Sequence, residues 1–326
     1  MKVFIDCDPG HDDCMMLILA LAGIYEGRKM EVLGVTITHG NQTLAKTVQN
    51  AERFLNVLTS DGKLPFEIFQ GSPWKLGGSS EPDGCAEIHG ESGLDGTELW
   101  PTAADATRAP VQRATRTLRD ALALMQAQSE PFMILATGPL TNIALLFEWD
   151  PTLSSKVFKL VLMGGASNGG NTHPRAEFNM QMDPLAASRV FALQNSLKMV
   201  VVPLEITHRA IVTPAILQSI QSSGSKFSKL CAELLMFFAA SYAEAFPAFA
   251  VGPPLHDPLA AFAILAEEQC VFLKAIVTID ETCGETMVRL SQDGHVDWCV
   301  HCNFDLFWST FLSAFNHLNT ITFLNK

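Results

Sequence analysis

Short apolar runs alternate along the first two thirds of the chain with longer segments whose apolar positions recur every three or four residues. The short runs predict strands at 2–7, 31–37, 66–69, 131–136, 156–165 and 198–203. The longer segments predict helices at 11–25, 41–59, 111–128, 139–148 and 184–194. Strands that alternate with helices are typical of a mostly parallel sheet, which binds ligands at the carboxyl ends of its strands.

The last third is less regular. It predicts helices at 213–222, 227–245, 257–266 and 304–318 and strands at 271–279, 285–291 and 296–302. No internal repeat and no low-complexity linker divides the sequence. We therefore expect an α/β fold in a single domain over 1–326, with an open, mostly parallel central sheet flanked by helices.

Two segments are candidates for covering a ligand site. Residues 71–110 form a long connection rich in glycine, proline, serine and acidic residues. Connections of this length in compact domains are usually functional or disordered, so either a surface excursion or a loop over the site fits. The apolar, proline-broken segment 234–256 predicts a helical lid region.

Composition and charge restrict the function. The chain is 48% hydrophobic and 17% charged, as expected for a folded protein. Its formal net charge of −12 argues against a nucleic-acid or anionic-membrane partner and favours a cation or a neutral small molecule. We identify no signal peptide and no transmembrane segment. Eight scattered cysteines indicate reduced thiols and a cytoplasmic protein.

One cysteine pair has the spacing of a metal or redox site. Cys299 and Cys302 form a C-x-x-C in a predicted strand. A zinc site would need a second ligand pair, and the sequence offers none with that spacing. The pair is therefore interpreted as core thiols.

The stretch VFIDCDPGHDDC places four aspartates directly behind an apolar run. Asp6 and Asp8 share one face of the predicted strand, whereas Asp12 and Asp13 fall in the first turn of the next helix, where negative charge is favourable. Helix capping and solvation explain only the second pair. A divalent cation explains all four, because carboxylates are the ligands that Ca²⁺ and Mg²⁺ prefer.

An ordered set of motifs continues from this cluster. It consists of DCDPGHDD (6–13), GNQT (40–43), IHG (88–90), ATGPLTNIA (136–144), VLMGG (161–165), AEFNMQMDP (176–184) and HDP (256–258). In content and order the set resembles the nucleoside hydrolases, the calcium-dependent N-ribohydrolases that include inosine-uridine-preferring enzymes. The resemblance implies an open α/β fold and hydrolysis of ribonucleosides to ribose and free base, with nucleoside salvage as the role.

The resemblance also implies a calcium site. Its ligands would be Asp8, Asp13, the backbone carbonyl of Thr137 and Asp257, completed by water and the ribose 2′- and 3′-hydroxyls. Asp8 would act as general base on that water. The chemistry is independently reasonable, since cleavage of the N-glycosidic bond builds positive charge on the ribose that nearby carboxylates stabilise. Asp6 is either a supporting residue or part of the strand end.

Further contacts follow from the same resemblance. The implied substrate-binding residues are Asp12, Asn41, Asn171, Glu177 and Asn179 for the ribose or its water, with Phe178 and Met163 as walls. For Asn41 the alternative is ordinary turn chemistry, and for Glu177 and Asn179 it is helix capping.

Three residues are expected on the base side. His256 is a candidate proton donor to the leaving base, and its presence resembles the branch with inosine-uridine preference. His89 would contact the base. Tyr242 is a weaker candidate, since aromatic residues at helical spacing usually belong to the core. The extra Gly252-Pro253-Pro254 leaves the base preference unranked.

Two other functions share single features with this sequence. A haloacid-dehalogenase-like phosphatase also carries Asp-x-Asp after its first strand, but Pro9 and the lack of a G-D-x-x-x-D pair disfavour it. A nucleoside-binding scaffold without catalysis would not need the full carboxylate set. The prediction is an enzyme with Ca²⁺ as cofactor and a ribonucleoside as substrate, forming a homodimer or homotetramer.

Overall fold

The apolar runs form the strands of one continuous sheet. The computed structural model describes residues 1–59, 61, 63–101 and 112–325. The strands are β1 (Lys2–Cys7), β2 (Ile24–Tyr25), β3 (Arg28–Lys29), β4 (Glu31–Ile37), β5 (Glu67–Gln70), β6 (Arg116–Thr117), β7 (Phe132–Ala136), β8 (Val157–Met163), β9 (Met199–Val202), β10 (Cys270–Ile279), β11 (Thr286–Leu290) and β12 (Val296–Cys302).

Helices connect and cover these strands. They are α1 (His11–Ala22), α2 (Leu44–Val57), α3 (Ala86–His89), α4 (Leu118–Gln126), α5 (Thr141–Trp149), α6 (Phe178–Met182), α7 (Pro184–Phe191), α8 (Leu204–Thr207), α9 (Pro214–Gln221), α10 (Lys226–Ala245), α11 (His256–Leu265) and α12 (Phe304–Ile321). Short 3-10 turns lie at Pro151–Ser155, Ala192–Asn195, Pro247–Phe249, Glu267–Gln269 and Phe323–Asn325.

The described strands of the main sheet are ordered β11-β10-β12-β9-β8-β7-β1-β4-β5-β6. All neighbours from β12 to β6 are parallel, whereas β10 is antiparallel to both β11 and β12. The predicted open, mostly parallel sheet in a single α/β domain is therefore confirmed. β2 and β3 form a separate small hairpin.

Both faces of the sheet are covered, which explains why the central strands are apolar throughout. Alternate residues of β1 enter different clusters, Val3 and Ile5 on one face and Phe4 on the other. α1 packs against α11 and α12 on the first of these faces. Strands buried on two sides carry nearly continuous apolar runs, as the sequence does here.

Several predicted boundaries were wrong. The helix expected to reach residue 25 ends at Ala22, because Gly23 adopts an extended conformation with φ −66° and ψ 131°. Glu26 and Gly27 then adopt positive φ values of 48° and 73° and turn the chain between β2 and β3. The helices predicted at 41–59 and 111–128 are shorter, as α2 and α4. The short elements α3, α6 and α8 were not predicted.

Both candidate covering segments lie near each other. Within 71–110 the residues 102–110 lie outside the described part of the chain, but α3 packs against α10, and the Ser241 hydroxyl donates to the Ile88 carbonyl at 2.6 Å. That they close over a substrate stays a prediction. Among the described residues, none of the helices combines the length and apolarity that a membrane crossing requires.

Candidate active site

A cavity of about 240 Å³ opens where the carboxyl ends of β1, β4, β7 and β8 meet the first turns of α1 and α11. It is lined by Asp8, Asp12, Asn41, Cys85, Glu87, Ile88, His89, Thr137, Met163, Asn171, Thr172, Glu177, Phe178, Asn179, Phe238, Tyr242, Ala245, Phe246, His256 and Asp257. Most residues proposed from the sequence are in this lining. Asp13 lies behind it and is completely buried.

Carboxylates from two helices and one strand converge at the cavity floor. One oxygen each of Asp12, Asp13 and Asp257 lies within 4.8 Å of the others. Asp8, at the end of β1, faces the same cavity and is 1% exposed. The structure therefore brings Asp257 next to Asp12 and Asp13, although about 245 residues separate them in the sequence. Parallel strands with helical connections make such contacts possible, because distant segments end at the same edge of the sheet.

Backbone and amide donors fix the positions of two of these aspartates. Asp13 accepts the Gly10 N–H at 3.0 Å and the Thr137 hydroxyl at 3.1 Å. Asn41 joins both acids, because its N–H donates to Asp8 Oδ2 at 2.7 Å and its side-chain amide donates to Asp13 Oδ2 at 3.0 Å. Asn41, which follows β4, thus hydrogen-bonds to both carboxylates and lies between them. A residue that only formed a turn would not need these two hydrogen bonds.

Two glycines permit this close packing. A Cβ on Gly10 would lie 2.7 Å from Asn41 Nδ2 and from His89 Nδ1. A Cβ on Gly138 would lie 2.5 Å from Asp8 Oδ1. Both positions need the absence of a side chain so that the carboxylates, the amide and the imidazole can converge.

Burial and mutual repulsion disfavour the ionised forms of these carboxylates. Burial, followed by repulsion from Asp13, raises the pKa of Asp8 well above its usual value and that of Asp12 to about 7. Burial and then the charge of Asp12 raise the pKa of Asp257. Desolvation and like charge both act against the anionic forms, and a bound cation would reverse both effects.

The donor set fits a hard divalent cation. Asp8 Oδ1 is buried and accepts no hydrogen bond within the described part of the chain. The Thr137 carbonyl, which accepts from Asn179 Nδ2 at 2.9 Å, has a second lone pair and belongs to the same cavity. Oxygen-only ligands without lysine or arginine in the described lining suit Ca²⁺ or Mg²⁺ rather than a softer metal.

Asp6 faces a different environment from Asp8. Its Oδ1 accepts from the Thr36 hydroxyl and, at 2.8 Å, from Asn142 Nδ2. Burial raises its pKa to about 7. Asp6 therefore ties β1 to β4 and α5 behind the cavity and is absent from the described lining.

The segment before α7 forms the opposite wall. Glu177 caps α6 by accepting the N–H groups of Asn179 and Met180, and its Oε2 also accepts the Gly165 N–H at 2.9 Å. Burial raises its pKa to about 7. Glu177 thus caps α6 and also lines the cavity, and its contact with the ribose stays a prediction. Asn171 Oδ1 holds the Phe178 N–H at 2.9 Å.

His256 sits in a hydrogen-bonded row at the other end of the cavity. Its Nδ1 lies 2.8 Å from the Thr207 hydroxyl and its Nε2 lies 3.2 Å from the Tyr242 hydroxyl, which in turn is 3.4 Å from Nε2 of His208. Burial, and then His208, lower the pKa of His256 well below its usual value. At neutral pH His256 is therefore an uncharged imidazole.

His89 is oriented by a second histidine. Its Nδ1 lies 3.0 Å from Nδ1 of His11, and Nε2 of His11 lies 2.8 Å from the Asp95 carbonyl. A carbonyl only accepts, so His11 carries its proton on Nε2, because burial lowers its pKa to about 4 and excludes a second proton. Nδ1 of His89 also lies 3.4 Å from the His11 N–H, a contact that needs this nitrogen to accept. The shorter contact of 3.0 Å to His11 Nδ1 needs it to donate, and this contact favours the tautomer with the proton on Nδ1. Nε2 of His89 makes no hydrogen bond within the described residues, which leaves a lone pair for the cavity.

Sequence reasoning missed His11, Thr207 and His208, which contact the histidines and Tyr242 of the site. It also missed part of the described lining, namely Cys85, Glu87, Ile88, Thr172, Phe238, Ala245 and Phe246. His11 lies inside the quoted Asp cluster, but its partner His89 is 78 positions away. Thr207 is the last residue of α8, an element that was not predicted, and His208 follows it. The polar Thr-His pair stands a few residues after the apolar run of β9 and gives no specific signal.

Comparison with known proteins identifies the family of the chain. The family model described as inosine-uridine preferring nucleoside hydrolase matches residues 3–309. The pyrimidine-specific ribonucleoside hydrolase RihA of Klebsiella pneumoniae (strain 342) is 40% identical over 261 residues, covering 79% of this chain and 77% of that protein. RihA of Salmonella typhimurium is 39% identical over 259 residues, with the same coverage.

Solved structures agree as well. The purine-preferring ribonucleoside hydrolase from Gardnerella vaginalis superposes with a TM-score of 0.87 over 99% of this chain and all of that chain, at 24% identity, which supports the fold alone. The plant nucleoside hydrolase PpNRh1 superposes with a TM-score of 0.84 over 96% of this chain and 98% of that chain, at 27% identity. The chain therefore belongs to the inosine-uridine preferring nucleoside hydrolase family and is an enzyme that hydrolyses ribonucleosides to ribose and free base.

Proposed function

We propose that this enzyme is a Ca²⁺-dependent hydrolase that prefers pyrimidine ribonucleosides and uses Asp8 as its general base. The observation that carries the proposal is the convergence of four buried aspartates on one cavity whose described lining contains no lysine or arginine. Buried charges need a partner, and a divalent cation is the partner that oxygen ligands select. The relatives at about 40% identity are named pyrimidine-specific, which supports the base preference.

Four groups would hold the ion, namely the carboxylates of Asp8, Asp13 and Asp257 and the carbonyl of Thr137. When bound, calcium would position the attacking water, lower its pKa and hold the ribose 2′- and 3′-hydroxyls. Asp12 lies within 4.8 Å of two of these carboxylates and accepts backbone N–H groups of α11. We assign Asp12 to a ribose hydroxyl.

The carboxylates would also stabilise the reacting sugar. As the N-glycosidic bond breaks, positive charge develops on the ribose ring, and the anionic floor of the cavity lowers the energy of that state. Asp8 takes a proton from the attacking water as it adds to the anomeric carbon. The bound cation would keep Asp8 in the anionic form that a general base requires, although burial disfavours that form in the metal-free protein.

The opposite wall would orient the sugar. We assign Asn171 and Glu177 to the 5′-hydroxyl, and Asn179 to the 3′-hydroxyl, with Phe178 and Met163 as apolar walls and Asn41 next to the water. The shared hydrogen bonds of Glu177 to α6 and to Gly165 hold its carboxylate in one position, which favours a binding site formed in advance.

His256 and Tyr242 would assist departure of the base. Replacing His256 with glutamine is expected to lower kcat for uridine by about 10²-fold, because an amide cannot pass a proton between the Thr207 and Tyr242 hydroxyls toward the departing base, as an uncharged imidazole can. A ribosyl aryl ether with a weakly basic phenolate leaving group needs no such proton. It should lose less than about 10-fold with the same variant. Steady-state kinetics on both substrates measures the difference, and equal losses on both would contradict the role.

His89 would read the base through its Nε2 lone pair. Uracil and cytosine each offer an N–H donor at their ring or amino group, so an acceptor at this point suits both. In the proposed tautomer the single proton of His89 sits on Nδ1 and is accepted by His11 Nδ1, which leaves Nε2 with its lone pair. His11 is therefore proposed as a positioning residue for base binding.

Replacing His11 with phenylalanine tests this arrangement. Phenylalanine keeps the stacking on Phe237 and Phe238, whose ring centroids lie 5.4 Å from that of His11, but removes the acceptor. KM for uridine should rise about 10-fold, the loss of roughly one hydrogen bond, with a smaller change in kcat. His11→Asn, whose Oδ1 can replace Nδ1 as acceptor, should restore most of the affinity. An unchanged KM in the phenylalanine variant, or ¹⁵N spectra with the same His89 tautomer, would contradict it.

The proposal as a whole is tested by kinetics on uridine, cytidine, inosine, guanosine and adenosine, each with its 2′-deoxy form, with and without a chelator. Uridine and cytidine should have the highest kcat/KM, and the 2′-deoxy forms should lose at least about 10²-fold because the ion no longer finds two adjacent hydroxyls. Equal cleavage of deoxynucleosides would overturn the metal–diol arrangement, and higher kcat/KM for purines would overturn the base preference.

Two further expectations remain predictions. Eight cysteines without a disulfide in the described chain agree with a cytoplasmic enzyme. A homodimer or homotetramer is expected and would be measured by light scattering on the purified enzyme.

A further inference from the structure

Three cysteines outside the active site meet in the core. Cys270 is the first residue of β10, and Cys299 and Cys302 lie in β12. One sulfur of each lies within 4.8 Å of the others, and Cys299 and Cys302 are fully buried. Cys270 lies 29 positions before Cys299, so the C-x-x-C spacing of the other two cysteines could not predict it as their neighbour.

A break in strand register creates this cluster. In a regular strand, residues three apart face opposite sides, so Cys299 and Cys302 would point away from each other. Between β10 and β12 the pairing passes from Val271 opposite His301 to Phe272 opposite Cys299, which leaves Val300 as an extra residue. Such a bulge turns one side chain to the other face. It therefore puts both thiols of the C-x-x-C on the side of Cys270.

Cys270 and Cys302 are direct cross-strand neighbours. They occupy opposite positions in the antiparallel pairing, and their sulfurs lie 2.7 Å apart. Opposed residues in antiparallel strands have Cα atoms about 4.5–5.5 Å apart, within the range that a disulfide spans. The residues next to this pair are also hydrogen-bonded to each other, since the Asn303 N–H donates to the Gln269 carbonyl at 2.9 Å.

We propose that Cys270 and Cys302 are a modification site that closes to a disulfide between β10 and β12 when the enzyme meets a peroxide, with Cys299 as a third thiol that can exchange into the bond. Cys299 Sγ lies 3.5 Å from Cys302 Sγ, close enough to attack it after small motions. The proposal is independent of the nucleoside chemistry assigned to the cavity.

The reaction balances with the peroxide as oxidant. Cys270, 8% exposed and the most accessible of the three, takes one oxygen from hydrogen peroxide and becomes a sulfenic acid, and the first water leaves. The sulfur of Cys302 then attacks that of Cys270. The S–S bond forms, and the displaced hydroxyl departs with the Cys302 proton as a second water. Two thiols are oxidised by two electrons, and one peroxide is reduced to two waters.

Peptide mapping of the whole enzyme tests the site. The reduced, desalted enzyme is treated with hydrogen peroxide, unfolded, alkylated and digested without reductant. We expect six of the eight thiols to be alkylated, together with a linked peptide pair that contains Cys270 and Cys302. The cross-link should raise the melting temperature by about 5 °C, reversibly with a thiol reductant.

Matched variants decide the assignment. Cys299→Ser should still form the 270–302 bond, Cys270→Ser should form no bond between β10 and β12, and Cys283→Ser, a partly exposed cysteine elsewhere, should behave as the parent. The proposal is overturned if peroxide modifies Cys283 while Cys270 and Cys302 both stay alkylatable. It is equally overturned if the purified enzyme carries one thiol-bound metal ion that protects all three cysteines.

Discussion

Replacing Asp8 with asparagine is expected to reduce kcat/KM for uridine by at least about 10³-fold while the enzyme stays folded. Asparagine has the same shape and its carbonyl can still accept the Asn41 N–H that now bonds Asp8 Oδ2. It can neither take a proton from water nor offer an anionic ligand. The loss should appear in kcat rather than only in KM, because the base acts in the transition state. Stopped assays of ribose release measure it.

Stability separates this chemical effect from a folding defect. Burial and the neighbouring Asp13 raise the pKa of Asp8, so its charged form destabilises the metal-free protein. Asp8→Asn removes that repulsion and should melt at the same or a higher temperature than the parent when calcium is absent. Asp293→Asn, at an exposed turn, is the matched control and should change neither property. An Asp8→Asn enzyme with more than a tenth of parental kcat/KM would exclude Asp8 as the base.

The sequence predicted those parts of the fold and site that depend on nearby residues. Strand and helix positions follow from local apolar periodicity, which places Asp6 in β1 and Asp8 directly after it. What each of the two acids does was not predictable. Asp6 is held by Thr36 from β4 and Asn142 from α5, and no local spacing predicts partners 30 and 136 positions away.

The same limit applies to the histidines and the thiols. His11 was quoted within the first motif, yet its role depends on His89 and on the Asp95 carbonyl, which only the folded loop supplies. The cysteine cluster needs a bulge at Val300, and a one-residue shift in register leaves almost no trace in an apolar sequence. The motif resemblance predicted most residues of the cavity, because related proteins share the spatial arrangement of residues that are distant in sequence. The periodicity of apolar residues carries no information about that arrangement.

Removing calcium should abolish activity and lower the melting temperature, by about 5 °C relative to enzyme with the ion at a hundredfold excess over its Kd. The loss should depend on pH. In the metal-free protein burial raises the pKa of Asp12 to about 7, well above the unfolded value, so the protonated form is favoured in the fold. That contribution to stability is complete at low pH and is lost as pH rises through about 7.

Metal-free enzyme should therefore melt at a lower temperature at pH 8.5 than at pH 5.5, and calcium should reduce or reverse the difference because the ion stabilises the ionised carboxylates. Differential scanning calorimetry at both pH values, with and without calcium, measures the four melting temperatures. Asp257→Asn removes one carboxylate of the cluster and should reduce the calcium-dependent part of the shift. If chelated enzyme keeps full activity and calcium raises the melting temperature equally at both pH values, the aspartates do not form a metal site, and Asp12, Asp13 and Asp257 must share protons instead.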